Sequence, residues 1–137
     1  MGLDESQMGQ NGEYISKATF PILGICAGHQ FMAIHLGGRA GPATVPEFGK
    51  ATLTVDEESE IFSGLPKTFN VWVSHNDEVT ELPQDFIRLA HSKNCKVQAM
   101  RHSKKPLFGL QFHPEVEHTQ HGYDIFKNFL RICEASR

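Results

Sequence analysis

Three cysteines, one tryptophan and two tyrosines in 137 residues already rule out several designs. Cys26, Cys95 and Cys133 are odd in number and have no short paired spacing, so neither a disulfide framework nor a zinc knuckle organises the chain, and free thiols fit a reducing compartment. No apolar run approaches the length that crosses a bilayer, and the first residues carry no apolar stretch of the signal-peptide kind. The expectation is a cytoplasmic protein away from membranes. An excess of positive charge is lacking too: 13 Lys and Arg stand against 16 Asp and Glu, for a net charge of −3. Basic pairs such as Lys104-Lys105 do not join into a stripe, which sets nucleic acid aside as a partner. The opening MGLDES fits a myristoylation pattern at Gly2 and Ser6. Asp4 and Glu5 would repel an anionic leaflet, however, and no polybasic second anchor follows.

What is present is enough apolar material, 39% of residues, for one core and one domain over 1–137, with a polar leader over 1–18 and the core over 20–137. The leader predicts a loop and a short helical piece from Glu13 to Lys17. "FPILGI" is apolar on both alternations and ends at Cys26, the pattern of a strand buried on both faces of a parallel sheet. "AGHQFMAIHLGG" then places Phe31, Ile34 and Leu36 near helical spacing and stops at Gly37-Gly38. Strands are predicted over Glu47–Asp56 and Thr68–Ser74 with a Gly64-Leu65-Pro66 turn between them, then at "FIRLAHS", "KVQAMRH" and Leu107–Phe112. A last helix is predicted behind Thr119 as N-cap, with Ile125, Phe126, Phe129, Leu130 and Cys133 as its apolar stripe. Cys133 then reads as a small core residue and Cys95, in the turn "SKNC", as incidental.

"GICAGHQ" raises the chemical question. A cysteine between glycines, G-x-C-x-G, at the end of a buried strand is the pattern of a nucleophile elbow, in which a strained strand-to-helix turn lifts the side chain above the sheet edge. The helix N-terminus would favour thiolate over thiol, and the Ala27 amide could donate to an oxyanion. An ordinary buried cysteine in a strand-loop-helix turn fits Cys26 alone about as well. "QFHPEV" offers a base: in extended backbone His113 and Glu115 project the same way, so the carboxylate can hold the imidazole in one tautomer. At the ends of adjacent parallel strands the three groups would meet in the crevice where open α/β sheets carry their sites. A hydrogen-bonded turn histidine and a solvated carboxylate are the plain alternatives. A metal on His113, His118 and His121 finds no completing cysteine pair. The H-x-E of zinc deaminases lacks its P-C-x-x-C, and an α/β-hydrolase would carry its acid before the histidine.

"PILGICAGHQ" together with "QFHPEVEHT" resembles the class I glutamine amidotransferases, over nearly the whole chain after Phe20. The resemblance implies an α/β fold, an open and mainly parallel sheet flanked by helices in a flavodoxin-like three-layer arrangement, lacking the N-terminal part of the domain. It implies Cys26 as nucleophile on the side-chain amide of glutamine, His113 as acid and base, Glu115 as its orienting carboxylate, and glutamate and ammonia as products. Substrate would be held by Gln30 and by backbone at Ser74 and His75, with Asp77 completing an S-H-x-D pattern. "HPEVEHTQHG" and "VWVSHNDEV" are most similar to the glutaminase part of GMP synthases. This implies a heterodimer with a separate ATP-pyrophosphatase subunit that adenylates XMP with Mg-ATP and consumes the ammonia, and no cofactor in this chain. Family members begin with further β-α units and a glycine-rich loop that gives a second oxyanion donor. Here Ala27 is expected to be the lone donor, a loss worth ~10²–10³ in turnover, and the strand "PILGI" an exposed, self-associating edge. The competing expectation is an inactive or regulatory module that keeps the surface for a synthetase but does not turn over glutamine.

Overall fold

The computed structural model describes residues 20–136; the short helix expected over Glu13 to Lys17 lies outside them. The elements in chain order are β1 (Ile22–Ile25), α1 (Ala27–His35), β2 (Arg39–Val55), a single 3₁₀ turn (Glu60–Phe62), β3 (Thr68–Glu81), β4 (Phe86–Ser92), β5 (Cys95–His102), β6 (Leu107–Leu110) and α2 (Gly122–Ala135). The six strands form one sheet in the order β1-β6-β5-β4-β2-β3.

The α/β class and the sheet flanked by helices are as expected, but the described sheet is mixed rather than mainly parallel, because most of its strands are joined by short connections, and its parallel part is where the site lies. β1 runs parallel to β6, Ile22 opposite Leu107 through Ile25 opposite Leu110. The other described pairs, β2 with β3 and β4, and β5 with β4 and β6, are antiparallel. Connections as short as the two residues between β4 and β5 permit only antiparallel neighbours, whereas β1 and β6 are far apart in sequence and free to run together. Among the described residues β1 has a strand on one side only.

Each face of the sheet carries an apolar layer. On one, Phe108, Leu110 and Phe112 pack with Ile125 and Ile132 of α2; on the other, Met32 and Ala33 of α1 pack with Val79, Val97, Met100 and Leu107. The helices take a different phase from the one their apolar residues suggest. In α1 the buried residues are His29, Met32 and Ala33, while Ile34 is 56% exposed. His29 fits because Gly109 lies beneath it: a Cβ there would fall 2.4 Å from His29 Nδ1. In α2 the inward residues are Ile125, Asn128 and Ile132, and Leu130 is 60% exposed. Asn128 turns inward because its amide donates to the carbonyls of Ile61 and Ser63, both at 3.0 Å, supplying the buried Ile61 carbonyl of the 3₁₀ turn with a donor. Cys133 is half-buried at the margin of that face, and Cys95 is buried at the start of β5 rather than in a turn.

Two strands outrun their expected bounds. β2 starts at Arg39 and takes in Pro42 and Pro46, its pairing with β3 breaking register between Pro42 and Glu47, where an irregularity accommodates residues that cannot donate to a ladder. β3 continues to Glu81, so Ser74, His75 and Asp77 belong to a strand, with His75 buried and Ser74 and Asp77 exposed. Finally, α2 starts at Gly122, with His121 as N-cap in the left-handed region at φ 60°. Thr119 serves another purpose: its hydroxyl donates to the His113 carbonyl at 2.6 Å and accepts from the Trp72 amide at 2.9 Å.

Candidate active site

The site begins where β1 ends. The Cys26 amide donates to the Leu110 carbonyl of β6 at 2.7 Å, closing the parallel ladder, and the chain then turns into α1 with Cys26 at φ 53°, ψ −107°. A non-glycine residue with positive φ and this ψ lies outside the ordinary wells and costs on the order of 1–3 kcal/mol, retained where surrounding structure over-determines it. Gly24 makes the turn possible: a Cβ on it would lie 2.8 Å from the Gly28 carbonyl oxygen and 3.1 Å from the His29 nitrogen. Gly28 plays no such part, since a Cβ there would meet open space, so of the two flanking glycines only the first is demanded by packing.

Two groups reach the sulfur and a third element supports them. From β3 the Ser74 carbonyl lies 3.8 Å from Sγ, and from the end of β6 the Gln111 amide donates to Sγ at 3.7 Å. From α1 the Gln30 amide donates to the Asp77 carbonyl at 3.0 Å and to Gln111 Oε1 at 3.1 Å. Ser74 thus meets Cys26 through its carbonyl, and Gln30 and the Asp77 carbonyl are linked to it through Gln111. His75 is turned the other way: its ring is buried, bonded through Nε2 to Glu47 at 3.0 Å and through Nδ1 to the Asp77 carbonyl at 2.8 Å, leaving only its main chain for a role at the site. Gln111, Glu47 and His29 were not among the candidate residues. The signal for Gln111 was available, because it is two residues from His113 on the same strand continuation.

His113 enters along the same sheet edge. Its amide donates to the Trp72 carbonyl at 2.9 Å, two residues before Ser74, and its Nδ1 lies 2.9 Å from Glu115 Oε2. A carboxylate can only accept, so Nδ1 carries the proton in that pair and Nε2 is left with the lone pair, the arrangement a general base needs. Cys26 and His113 are therefore anchored to the same short stretch of β3, residues 72–74, from adjacent strands. The Glu115 charge is felt at the sulfur: burial pushes the Cys26 thiol above its ordinary value and Glu115 adds to that, against hydrogen bonds from the Ala27 amide and Gln111. The expected thiolate-favouring action of the helix N-terminus is present in the Ala27 amide but does not prevail. In the resting site the sulfur holds its proton, so attack requires a base.

The histidines weighed as metal ligands have separate partners. His118 packs at a tilt against Trp72, ring centroids 4.9 Å apart, and His121 packs edge-on against Phe69 at 5.3 Å and pairs with Asp124. Among the described residues the one group of three potential ligands is Glu47, His75 and Cys95, whose atoms lie within 4.8 Å of one another. Burial and the charges of Glu78 and Glu47 push the Cys95 thiol up to about 12. Glu47 and His75 are committed to each other, so the group suits a hydrogen-bonded pair better than a cation.

Comparison with known proteins agrees with this geometry. The family profile of class-I glutamine amidotransferases matches residues 4–133. A glutamine-hydrolyzing GMP synthase subunit of Thermoplasma acidophilum is 49% identical over 131 residues, covering 96% of this chain and 66% of that protein. The protein of the same name from Methanocaldococcus jannaschii is 49% identical over 117 residues, 85% of this chain and 62% of that one. A crystal structure described as that of a GMP synthase subunit from T. acidophilum superposes with a TM-score of 0.91 at 48% identity, covering 95% of this chain and 65% of the other. A glutamine amidotransferase from Thermotoga maritima shares the fold, with a TM-score of 0.76 at 24% identity over 98% of this chain and 59% of that one. The chain spans slightly less than two thirds of the length of these relatives.

Proposed function

The chain belongs to the class-I glutamine amidotransferase family, and from that premise we propose that it hydrolyses glutamine to glutamate and ammonia as the amidotransferase part of a GMP synthase. The observation that carries this reading is the strained Cys26 turn, anchored to the strand that leads into the His113–Glu115 pair. In the proposed reaction His113 Nε2 takes the thiol proton and Sγ bonds to the amide carbon of the glutamine side chain. The resulting tetrahedral oxyanion faces the Ala27 amide. Collapse breaks the C–N bond, and the imidazolium returns its proton to the departing nitrogen, releasing ammonia and leaving a γ-glutamyl thioester. Water, deprotonated by the same imidazole, then attacks the thioester, freeing glutamate and restoring the thiol. Glu115 holds the ring in one tautomer and stabilises its charged form. Gln30 and the main chain at Ser74, His75 and Asp77 are the proposed holders of glutamine.

The relatives are named as one subunit of a GMP synthase, which supports a partner. The proposed partner is an ATP-pyrophosphatase subunit that activates XMP with Mg-ATP and takes up the ammonia, while this chain needs neither metal nor cofactor and works in the cytoplasm. No described helix is long and apolar enough to cross a membrane. Glutamate release by the three single variants tests the assignment. Cys26→Ser is expected to lose activity by at least about a thousandfold, as removal of an activated nucleophile does, whereas Cys95→Ser and Cys133→Ser retain most of it. Equal loss from all three would reject Cys26 as the nucleophile.

A further inference from the structure

Behind the site, inside the sheet, lies a polar cluster with no part in the reaction written above. Glu47 on β2 is 8% exposed and His75 on β3 4% exposed. The Glu47 carboxylate accepts from His75 Nε2 at 3.0 Å, from Ser92 Oγ at 3.0 Å and from Gln98 Nε2 at 2.9 Å, and Gln98 also donates to Ser92 Oγ at 3.0 Å. On its other side His75 Nδ1 meets the Asp77 carbonyl at 2.8 Å. A carbonyl and a carboxylate are both acceptors, so the ring fits this place best with protons on both nitrogens, as an imidazolium between them. Burial alone would disfavour that charge; the bonds to Glu47 and Asp77 and the charges of Glu47 and Glu78 outweigh it. Such a pair is costly to bury and strongly destabilising to break from one side.

The Asp77 carbonyl is also where Gln30 is held, at 3.0 Å. Gln30 in turn meets Gln111 at 3.1 Å, and Gln111 donates to Cys26 Sγ at 3.7 Å. The hydrogen bonds therefore run without a gap from the buried carboxylate to the nucleophile. We propose that Glu47 and His75 are positioning residues for the glutaminase site: a sealed ion pair that orients the Asp77 carbonyl and, through it, the Gln30 and Gln111 amides at the sulfur. Neither side chain touches the substrate or Cys26; the part His75 takes in holding glutamine is played by its main chain alone. The proposal rests on the reading of Cys26 as the glutaminase nucleophile, and it explains why β3 carries a buried histidine beside residues that face the site.

The test is the rate at which iodoacetamide alkylates Cys26 in the full chain, read by mass spectrometry of the Cys26 peptide at a temperature where circular dichroism shows each variant folded. KM and kcat for glutamine are measured alongside. Glu47→Gln and His75→Gln are each expected to slow alkylation about three- to tenfold, the size of one hydrogen bond lost at the sulfur, and to raise KM severalfold through Gln30. Ser92→Ala, a milder cut in the support of Glu47, is expected to act in the same direction and serves if the other two fail to fold. In a Gln111→Ala background, where the last link is already cut, Glu47→Gln is expected to change the rate less than about twofold. The exposed Asp56–His91 pair is the control, and His91→Gln should alter none of these quantities. Equal slowing in both backgrounds, or rates untouched by all three substitutions, would overturn the proposal. Alkylation needs no turnover, so the positioning claim is decided even if Cys26→Ser retains hydrolysis, a result that would reject the functional reading alone.

Discussion

At Cys26 the backbone and the chemistry ask for different residues. Its φ of 53° is one that glycine adopts freely and other residues adopt at a cost, yet only a thiol can serve as the proposed nucleophile. The usual order of small residues should therefore be reversed here. Cys26→Gly is expected to be more stable than Cys26→Ala by roughly 1–2 kcal/mol, measured by urea denaturation, with both expected to lose glutamine hydrolysis. An alanine variant as stable as the glycine one would show that the turn is unstrained. His29, three residues on, carries a second strain of a different kind. It is fully buried, neither ring nitrogen makes a well-formed hydrogen bond among the described residues, and burial, set only against a weak bond with the Val97 main chain, drives its pKa down to about 3. The unfolded chain takes up a proton near pH 6.5 that the folded chain refuses until about 3. Stability must therefore fall as pH falls through that window, by up to about 1.4 kcal/mol per pH unit from this residue. Urea midpoints between pH 7 and 4.5 should fall less steeply in His29→Leu; parallel slopes would show that His29 is not held neutral.

Among the elements, α2 bears most directly on the site, because it abuts the His113 loop. A Cβ on Gly122 would lie 2.1 Å from the Pro114 carbonyl oxygen, so Gly122→Ala should push the helix away from the loop and lower both thermal stability and glutamine hydrolysis. A fully active Gly122→Ala would show that the loop does not depend on that contact. Asn128→Ala should cost roughly 1–3 kcal/mol through the carbonyls of Ile61 and Ser63 left without donors, with little effect on activity per folded molecule. These two positions also mark what the sequence made legible at this scale and what it did not. The helix itself was visible from Ile125, Phe129 and Cys133. Its rotation was not, because an asparagine that gives donors to a distant turn breaks the apolar pattern on the inward face. The same holds for α1, where a glycine eighty residues away makes room for His29.

For the molecule as a whole, the legible part was local. Cys26, His113 and Glu115 stand in short motifs at strand ends, and the structure places those ends side by side in the β1–β6 pair. Hidden from sequence reasoning was the polar support behind them, since Glu47, His75, Ser92 and Gln98 come from four strands and meet only through the curl of the sheet. β2 concealed itself in another way, its prolines disguising a 17-residue strand. The central claim is that the sulfur at the bend and the imidazole from the neighbouring strand act together on glutamine. Labelling the full chain with a diazoketone analogue of glutamine, followed by peptide mass spectrometry, tests it most directly. The expected result is a single adduct on Cys26 that forms quickly in the wild type, is suppressed by excess glutamine, and is slowed at least tenfold in His113→Asn. Label spread over Cys95 and Cys133, or an adduct at Cys26 that forms as fast without His113, would contradict it.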